Sequence, residues 1–172
     1  MKKYLNGFSL PELLIVIVAI GILVTIAIVS YRGIQNRAYD AAVQSDLEAI
    51  SGILESYKAL DDTGNPSREY PRTPATLGTL TIKASKGSYN TSVSYNFVFC
   101  IANSGANAYK EYKLVALSKS GTIFVMSQDG FISHSLTAAN ITSNVCTGSL
   151  GMELVSNGLS APNTWQSWVG NA

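Results

Sequence analysis

Charged residues are scarce in this chain of 172 residues, and histidine is nearly absent. Charged side chains make up 13% of the sequence against 47% apolar ones. A composition this apolar argues against a disordered chain. With twelve basic and eleven acidic residues, the chain also lacks the positive charge of a protein that binds nucleic acid through net charge.

The sequence motifs of common enzyme classes are missing as well. There is no phosphate-binding glycine loop, no G-x-S-x-G and no H-E-x-x-H. The single histidine, His134, has no acid or nucleophile close to it in sequence, so we interpret it as a polar residue satisfied by its own surroundings. We therefore expect a protein that is not an enzyme and that carries no cofactor or metal.

Only two cysteines occur, Cys100 and Cys146. They form no C-x-x-C and have no histidine at ligand spacing, which argues against a metal site or a thioredoxin-like redox site. In an exported chain an even cysteine count favours a disulfide, and closing a loop of this length would stabilise the fold by roughly 4 kcal/mol. Two buried free thiols are the alternative.

Charge is missing altogether from Leu13 to Val29. A helix from Phe8 to Ser30 would be about 34 Å long, enough to span a hydrocarbon core of roughly 30 Å. A cleaved secretory signal is one interpretation, but the apolar run is longer than usual and no small-residue cleavage site follows it. A plain membrane anchor is the second interpretation.

The residues in front of the apolar run support a third interpretation. The basic stretch MKKYLNG ends in Gly7, Phe8 follows, and Glu12 lies four residues further on. This pattern resembles the class III leader of type IV prepilins. The resemblance implies that a dedicated peptidase cuts between Gly7 and Phe8, that the new amine of Phe8 is N-methylated, and that the apolar helix is retained. Pro11 departs from the usual aliphatic residue, but the first helical turn tolerates proline.

Glu12 has two interpretations that are compatible with each other. Ser9 and Glu12 fit a capping box, in which the carboxylate bonds back to the Ser9 amide. The resemblance implies a further role, in which Glu12 of one subunit pairs with the terminal amine of a neighbouring copy at Phe8. Because unpaired charges are costly in apolar surroundings, such a pair would align subunits during assembly.

Beyond the apolar run, the sequence predicts an α+β protein. Apolar residues continue at helical spacing to about Leu60, so one long N-terminal helix should serve as a spine. Prolines and glycines then predict a loop, and alternating apolar residues from Val93 predict antiparallel strands that pack on the helix. The resemblance implies a pilin-like fold with a disulfide-bounded C-terminal region, and Cys100 and Cys146 lie where that disulfide is expected.

The chain should divide into a leader (1–7), an apolar helix (8–30), an amphipathic helix (31–60) and a head (61–172). The head should consist of a loop (61–90), a sheet (91–133) and a C-terminal region (134–172).

Two further features have open interpretations. Trp165 and Trp168 could form a surface binding pair, but they would more often hold the tail onto the core. Acids dominate from Asp40 to Glu69, and lysines dominate from Lys83 to Lys119. These stretches are either solvated faces or complementary patches that meet between copies.

The resemblance implies a structural subunit of a type IV pilus, made as a precursor in the cytoplasmic membrane and assembled into an extracellular filament. Its partners would be further copies of itself, the prepilin peptidase and N-methyltransferase, the assembly platform with its motor, the membrane before assembly, and a surface or DNA ligand afterwards. One alternative is a pseudopilin of a type II secretion or competence machine, which a calcium-ligand cluster near Asp129 and Glu153 would favour. A singly anchored surface binding module is the other.

Overall fold

The computed structural model of the protein describes residues 9–60, 69–161 and 164–172. The expected leader, its cleavage point at Gly7 and the amine of Phe8 lie outside these residues. So does the segment 61–68, in which the sequence predicts the end of the long helix. The chain divides into two compact units, residues 1–36 and 37–172, which are described separately below.

One helix, α1, runs from Leu10 to Leu60 and comprises 51 residues. Pro11 lies in its first turn, where its missing N–H removes no intrahelical hydrogen bond, and no other proline interrupts the sequence before Pro66. The predicted long N-terminal helix is therefore confirmed.

In the first unit, the large apolar side chains that the structure describes between Leu10 and Ile34 of α1 are exposed, on every side of the helix. Their mean hydropathy and the length of the helix suffice to cross a membrane, and no other helix among the described residues passes that test. The hydroxyl of Thr25, a polar group inside this run, donates to the Ile22 carbonyl oxygen at 2.7 Å. The polar group is thus satisfied within the helix, as an apolar environment requires.

In the second unit, α1 buries one stripe of side chains, formed by Val43, Leu47, Ile50 and Leu54. These residues pack against one face of a five-stranded sheet. The sequence predicted this stripe from its 3.6-residue spacing.

The sheet is antiparallel throughout, in the order β5-β4-β3-β2-β6. Its strands are β2 (Phe97–Ile101), β3 (Tyr112–Leu117), β4 (Ile123–Ser127), β5 (Gly130–Phe131) and β6 (Glu153–Asn157). The remaining elements are α2 (Pro74–Thr79), β1 (Lys83–Ala84), β7 (Leu159–Ala161), β8 (Thr164–Trp165), β9 (Gly170–Asn171), the 3₁₀ turns Lys86–Ser88 and Ala138–Asn140, and a π-helical turn at Val145–Ser149.

Both faces of the sheet are covered, whereas the sequence predicted one apolar face. Phe97, Phe99 and Ile101 point to the helix side, while Val98 and Cys100 join a second cluster on the other side. The chain after β5 supplies the cover of that second face, with Ile141, Val145, Cys146 and Met152. The predicted disulfide between Cys100 and Cys146 is present, with Cα atoms 5.5 Å apart, and it fixes this cover to β2.

Two boundaries differ from those predicted. The strand predicted to start near Val93 is β2, and it begins at Phe97, because Tyr95 adopts a positive φ of 67° that interrupts extended backbone. The segment expected to be a loop with little regular structure contains α2 and β1. Strand β1 pairs in parallel with β9, so the last residues of the chain are hydrogen-bonded beside the segment that follows α2.

The tail is held onto the core by its two tryptophans. Trp168 is only 7% exposed and its ring centroid lies 5.7 Å from that of Phe97. The ring of Trp165 meets that of Tyr89 edge-on at 5.4 Å. This packing supports the interpretation that these residues anchor the tail, rather than form a surface binding pair.

Candidate assembly site

Glu12 lies in the first turn of α1 with its carboxylate held by Ser9. The Ser9 amide donates to Glu12 Oε2 at 3.0 Å, and the Ser9 hydroxyl donates to the same oxygen at 2.9 Å. The first bond is the one that the capping pattern predicts. In the second, the serine hydroxyl donates to the carboxylate instead of accepting from a backbone amide. Only one of the two bonds of a capping box, the one to the carboxylate, is therefore formed.

This arrangement presents a negative charge at one end of an exposed apolar helix. The side chain of Glu12 is exposed, and both bonds from Ser9 fall on Oε2. Among the described residues, no group donates a hydrogen bond to Oε1, so this oxygen can accept one from an external cation. Chemically the site can pair with an ammonium group. The predicted partner, the amine of Phe8, lies outside the described residues.

Three further carboxylates of α1 bind parts of the head, and the sequence interpretation missed them. Asp46 accepts from the Ser85 amide at 2.6 Å, from the Ser85 hydroxyl at 3.1 Å and from the Tyr89 hydroxyl at 3.1 Å. Burial, and then the charge of Asp46, raises the pKa of Tyr89 well above its ordinary value. A signal was available, because Asp46 lies three residues after Val43 and four before Ile50, on the buried stripe.

The other two carboxylates bind at either side of Asp46 along the helix. Asp40 accepts from the hydroxyls of Ser120 at 2.5 Å and Thr122 at 3.1 Å, in the turn between β3 and β4. Glu55 accepts from the Tyr70 hydroxyl at 2.5 Å. Burial, and then this hydrogen bond, raises the pKa of Tyr70. These acids therefore act within the chain instead of forming a solvated face.

The basic stretch is also partly engaged within the chain. The Lys86 ammonium lies 5.5 Å from the centre of the Trp165 ring, and that of Lys119 lies 5.2 Å from the centre of the Tyr39 ring. These contacts, together with those of the acids, leave fewer charges for the complementary patches considered from the sequence.

His134 is satisfied by backbone groups, as expected. Its Nε2 lies 3.0 Å from the Ile123 carbonyl oxygen, and its Nδ1 accepts from the Leu136 amide at 3.1 Å. Because a carbonyl only accepts, Nε2 carries the proton.

The head contains three adjoining cavities of about 350, 400 and 260 Å³. Lys113 lines all three, and Asp129 lines the smallest. Within the described ranges, no group of three or more metal-ligating side chains occurs.

Comparisons with known proteins agree with the leader pattern. A family model described as the prokaryotic N-terminal methylation motif matches residues 2–28. The matched range contains Gly7, Phe8 and Glu12, the residues on which the resemblance to a prepilin leader rests. No solved structure matches the chain.

Among curated proteins, the chain is similar to the type II secretion system core protein G of several bacteria. The identity is 38% over 64 residues for the protein of Klebsiella pneumoniae, which covers 37% of this chain and 45% of that protein. It is 32% over 83 residues for Dickeya chrysanthemi, covering 48% and 50%, and 34% over 68 residues for Aeromonas hydrophila, covering 40% and 47%. The chain thus spans about half the length of the curated relatives it matches.

Proposed function

We propose that this protein is a pilin-like filament subunit that works as a pseudopilin in a type II secretion machine. The observation that carries the proposal is the similarity to three core G proteins of such systems, combined with the methylation motif. These similarities support the pseudopilin better than the pilus subunit that the sequence resemblance put first. The leader, the helix and Glu12 are common to both, so the choice rests on the relatives.

In this proposal the exposed apolar helix has two environments in turn. The peptidase removes residues 1–7, and the helix stays in the cytoplasmic membrane until the subunit joins a filament. Lipid tails and neighbouring helices are about equally apolar, so moving the helix between them changes the hydrophobic free energy little. The direction of assembly then has to come from a separate platform and motor. We propose no catalytic role for the chain itself.

Glu12 supplies the alignment step of this mechanism. The carboxylate of an incoming subunit would pair, through its available Oε1, with the methylated amine on Phe8 of the preceding one. In an apolar bundle an unpaired charge is strongly unfavourable, so subunits in the wrong register would be rejected.

The type IV pilus subunit is the second candidate, with adhesion, motility or DNA uptake as its task. The disulfide between Cys100 and Cys146, which bounds the C-terminal region, favours it. A deletion strain separates the two candidates. We expect secreted proteins to accumulate inside cells that lack the gene, measured by proteomics of the medium, while pili seen by electron microscopy persist. Loss of pili with normal secretion would overturn the pseudopilin proposal.

The assembly residues are tested by substitution in the same strain. Mass spectrometry of the mature protein should give a chain that begins at Phe8 with one added methyl group, and Gly7→Val should block the cut. Glu12→Val should leave processing intact but stop assembly and secretion. Glu48→Val removes another exposed carboxylate of α1 and is the matched control. Normal assembly with Glu12→Val would remove the alignment role.

A further inference from the structure

We propose that Arg32, with Tyr31 beside it, binds the phosphate groups of anionic membrane phospholipids where the apolar run of α1 ends. The inference rests on the membrane-resident stage of the proposed function. It assigns a partner to a cation that neither the filament role nor the fold accounts for.

The spacing of charges along α1 matches the thickness of a bilayer. Glu12 and Arg32 are the first charged residues on either side of the apolar run. Twenty residues of helix separate them by about 30 Å, which is the thickness of a typical hydrocarbon core. With Glu12 in one headgroup layer, Arg32 lies at the level of the other.

Arg32 has no counter-charge within its own unit. The only acid between residues 9 and 36 is Glu12, at the opposite end of the run. Helical ion pairs need an acid three or four residues away, and the positions after Arg32 hold Gln35 and Asn36. Among the residues that the structure describes, Arg32 has neither an ion pair nor a hydrogen bond, and its side chain is exposed.

The chemistry of the neighbouring residues selects a lipid as the partner. A guanidinium group binds phosphate through two parallel hydrogen bonds, and its stem can lie along apolar surface. Tyr31, which is 61% exposed, has the amphipathic ring that concentrates at membrane–water interfaces. On the N-terminal side of Arg32 the helix is apolar all round. A partner of Arg32 must therefore carry an anionic group that is attached directly to a hydrocarbon layer. A phospholipid does so.

Native mass spectrometry of the full chain, purified in detergent, tests this directly. The chain is offered phosphatidylglycerol and phosphatidylcholine with matched acyl chains, and the ratio of retained lipids is measured. We expect the wild-type chain to retain phosphatidylglycerol preferentially, and Arg32→Gln to lower that preference about fivefold. Arg32→Lys should keep most of it. Lys83→Gln removes an exposed cation in the head and should leave the ratio unchanged.

Two results would overturn the inference. The first is equal retention of both lipids by the wild-type chain, and the second is an equal loss of preference in Arg32→Gln and Lys83→Gln. If lipid preference is absent but Arg32→Gln prevents assembly in cells, the partner is instead a carboxylate of a neighbouring copy. Because lipid retention is measured without filaments, failure of the secretion test leaves this experiment interpretable, and the reverse also holds.

Discussion

The buried carboxylate of Asp46 makes the attachment of the head to α1 testable. Asp46 is 8% exposed and accepts three hydrogen bonds from Ser85 and Tyr89. The substitution Asp46→Ala removes all three acceptor contacts at once. The hydroxyl of Tyr89, whose side chain is 1% exposed, and the amide of Ser85 then lose the acceptor that Asp46 supplies.

The expected loss of stability is large for a single polar residue. A hydrogen bond to a charged group contributes about 1.5–3 kcal/mol, and a buried donor left unpaired costs about 1–3 kcal/mol. Because these contributions overlap, we expect Asp46→Ala to lower the free energy of unfolding of the head by about 3–5 kcal/mol, or on the order of 10 °C in melting temperature. Asp46→Asn keeps one acceptor oxygen and should lose about half as much.

Urea denaturation of the full chain in mild detergent, followed by tryptophan fluorescence, measures this loss. Both tryptophans lie in the head, and Trp165 contacts Tyr89, so the signal reports unfolding next to the substitution. Glu48→Ala is the matched control, because Glu48 is an exposed acid on the same helix. If the unfolding midpoints of Asp46→Ala and Glu48→Ala agree, the carboxylate does not hold the head and the reasoning is refuted.

Three further predictions use the same unfolding assay. Cys146→Ser should destabilise the head by about 4 kcal/mol, since it opens a long loop, and an unchanged midpoint would contradict this. Burial raises the pKa of Tyr89, so above pH 10 the unfolded chain loses the phenol proton while the folded chain keeps it. The free energy of unfolding should therefore fall as the pH rises. Tyr89→Phe should make this fall less steep, by about 1.4 kcal/mol per pH unit. A Cβ at Gly158 would lie 2.7 Å from Phe97 Cδ1, so Gly158→Ala should cost about 1–3 kcal/mol, whereas Gly87→Ala, with nothing within 4 Å, should be neutral.

Much of the fold was predictable because it depends on local patterns. The charge-free run and the absence of proline between Pro11 and Pro66 specify α1, and the spacing of Val43, Leu47, Ile50 and Leu54 identifies its buried stripe. The strands β3 and β4 follow from short apolar runs with a glycine turn between them. The second apolar cluster was not predicted, because its residues are brought together across more than forty positions of sequence.

The candidate site was likewise predictable where it depends on a local sequence pattern. The leader motif and Glu12 are short, local patterns with a specific chemistry, so they were recognisable, and the methylation motif matched. The sequence interpretation put a pilus subunit ahead of a secretion pseudopilin, because the motif that both share carries no information about the machine. The similarity to secretion-system proteins favours the opposite order.

The sequence by itself determined the apolar helix, the charged residues at its two ends and the presence of a disulfide-competent pair of cysteines. Each follows from residue type and spacing along one chain. Only the tertiary structure decided that the acids of α1 bind the head, that the tail packs its tryptophans on the core, and that the sheet is covered on both faces. These outcomes depend on hydrogen-bond donors and apolar surfaces supplied by distant segments, and their positions exist only once the chain has folded.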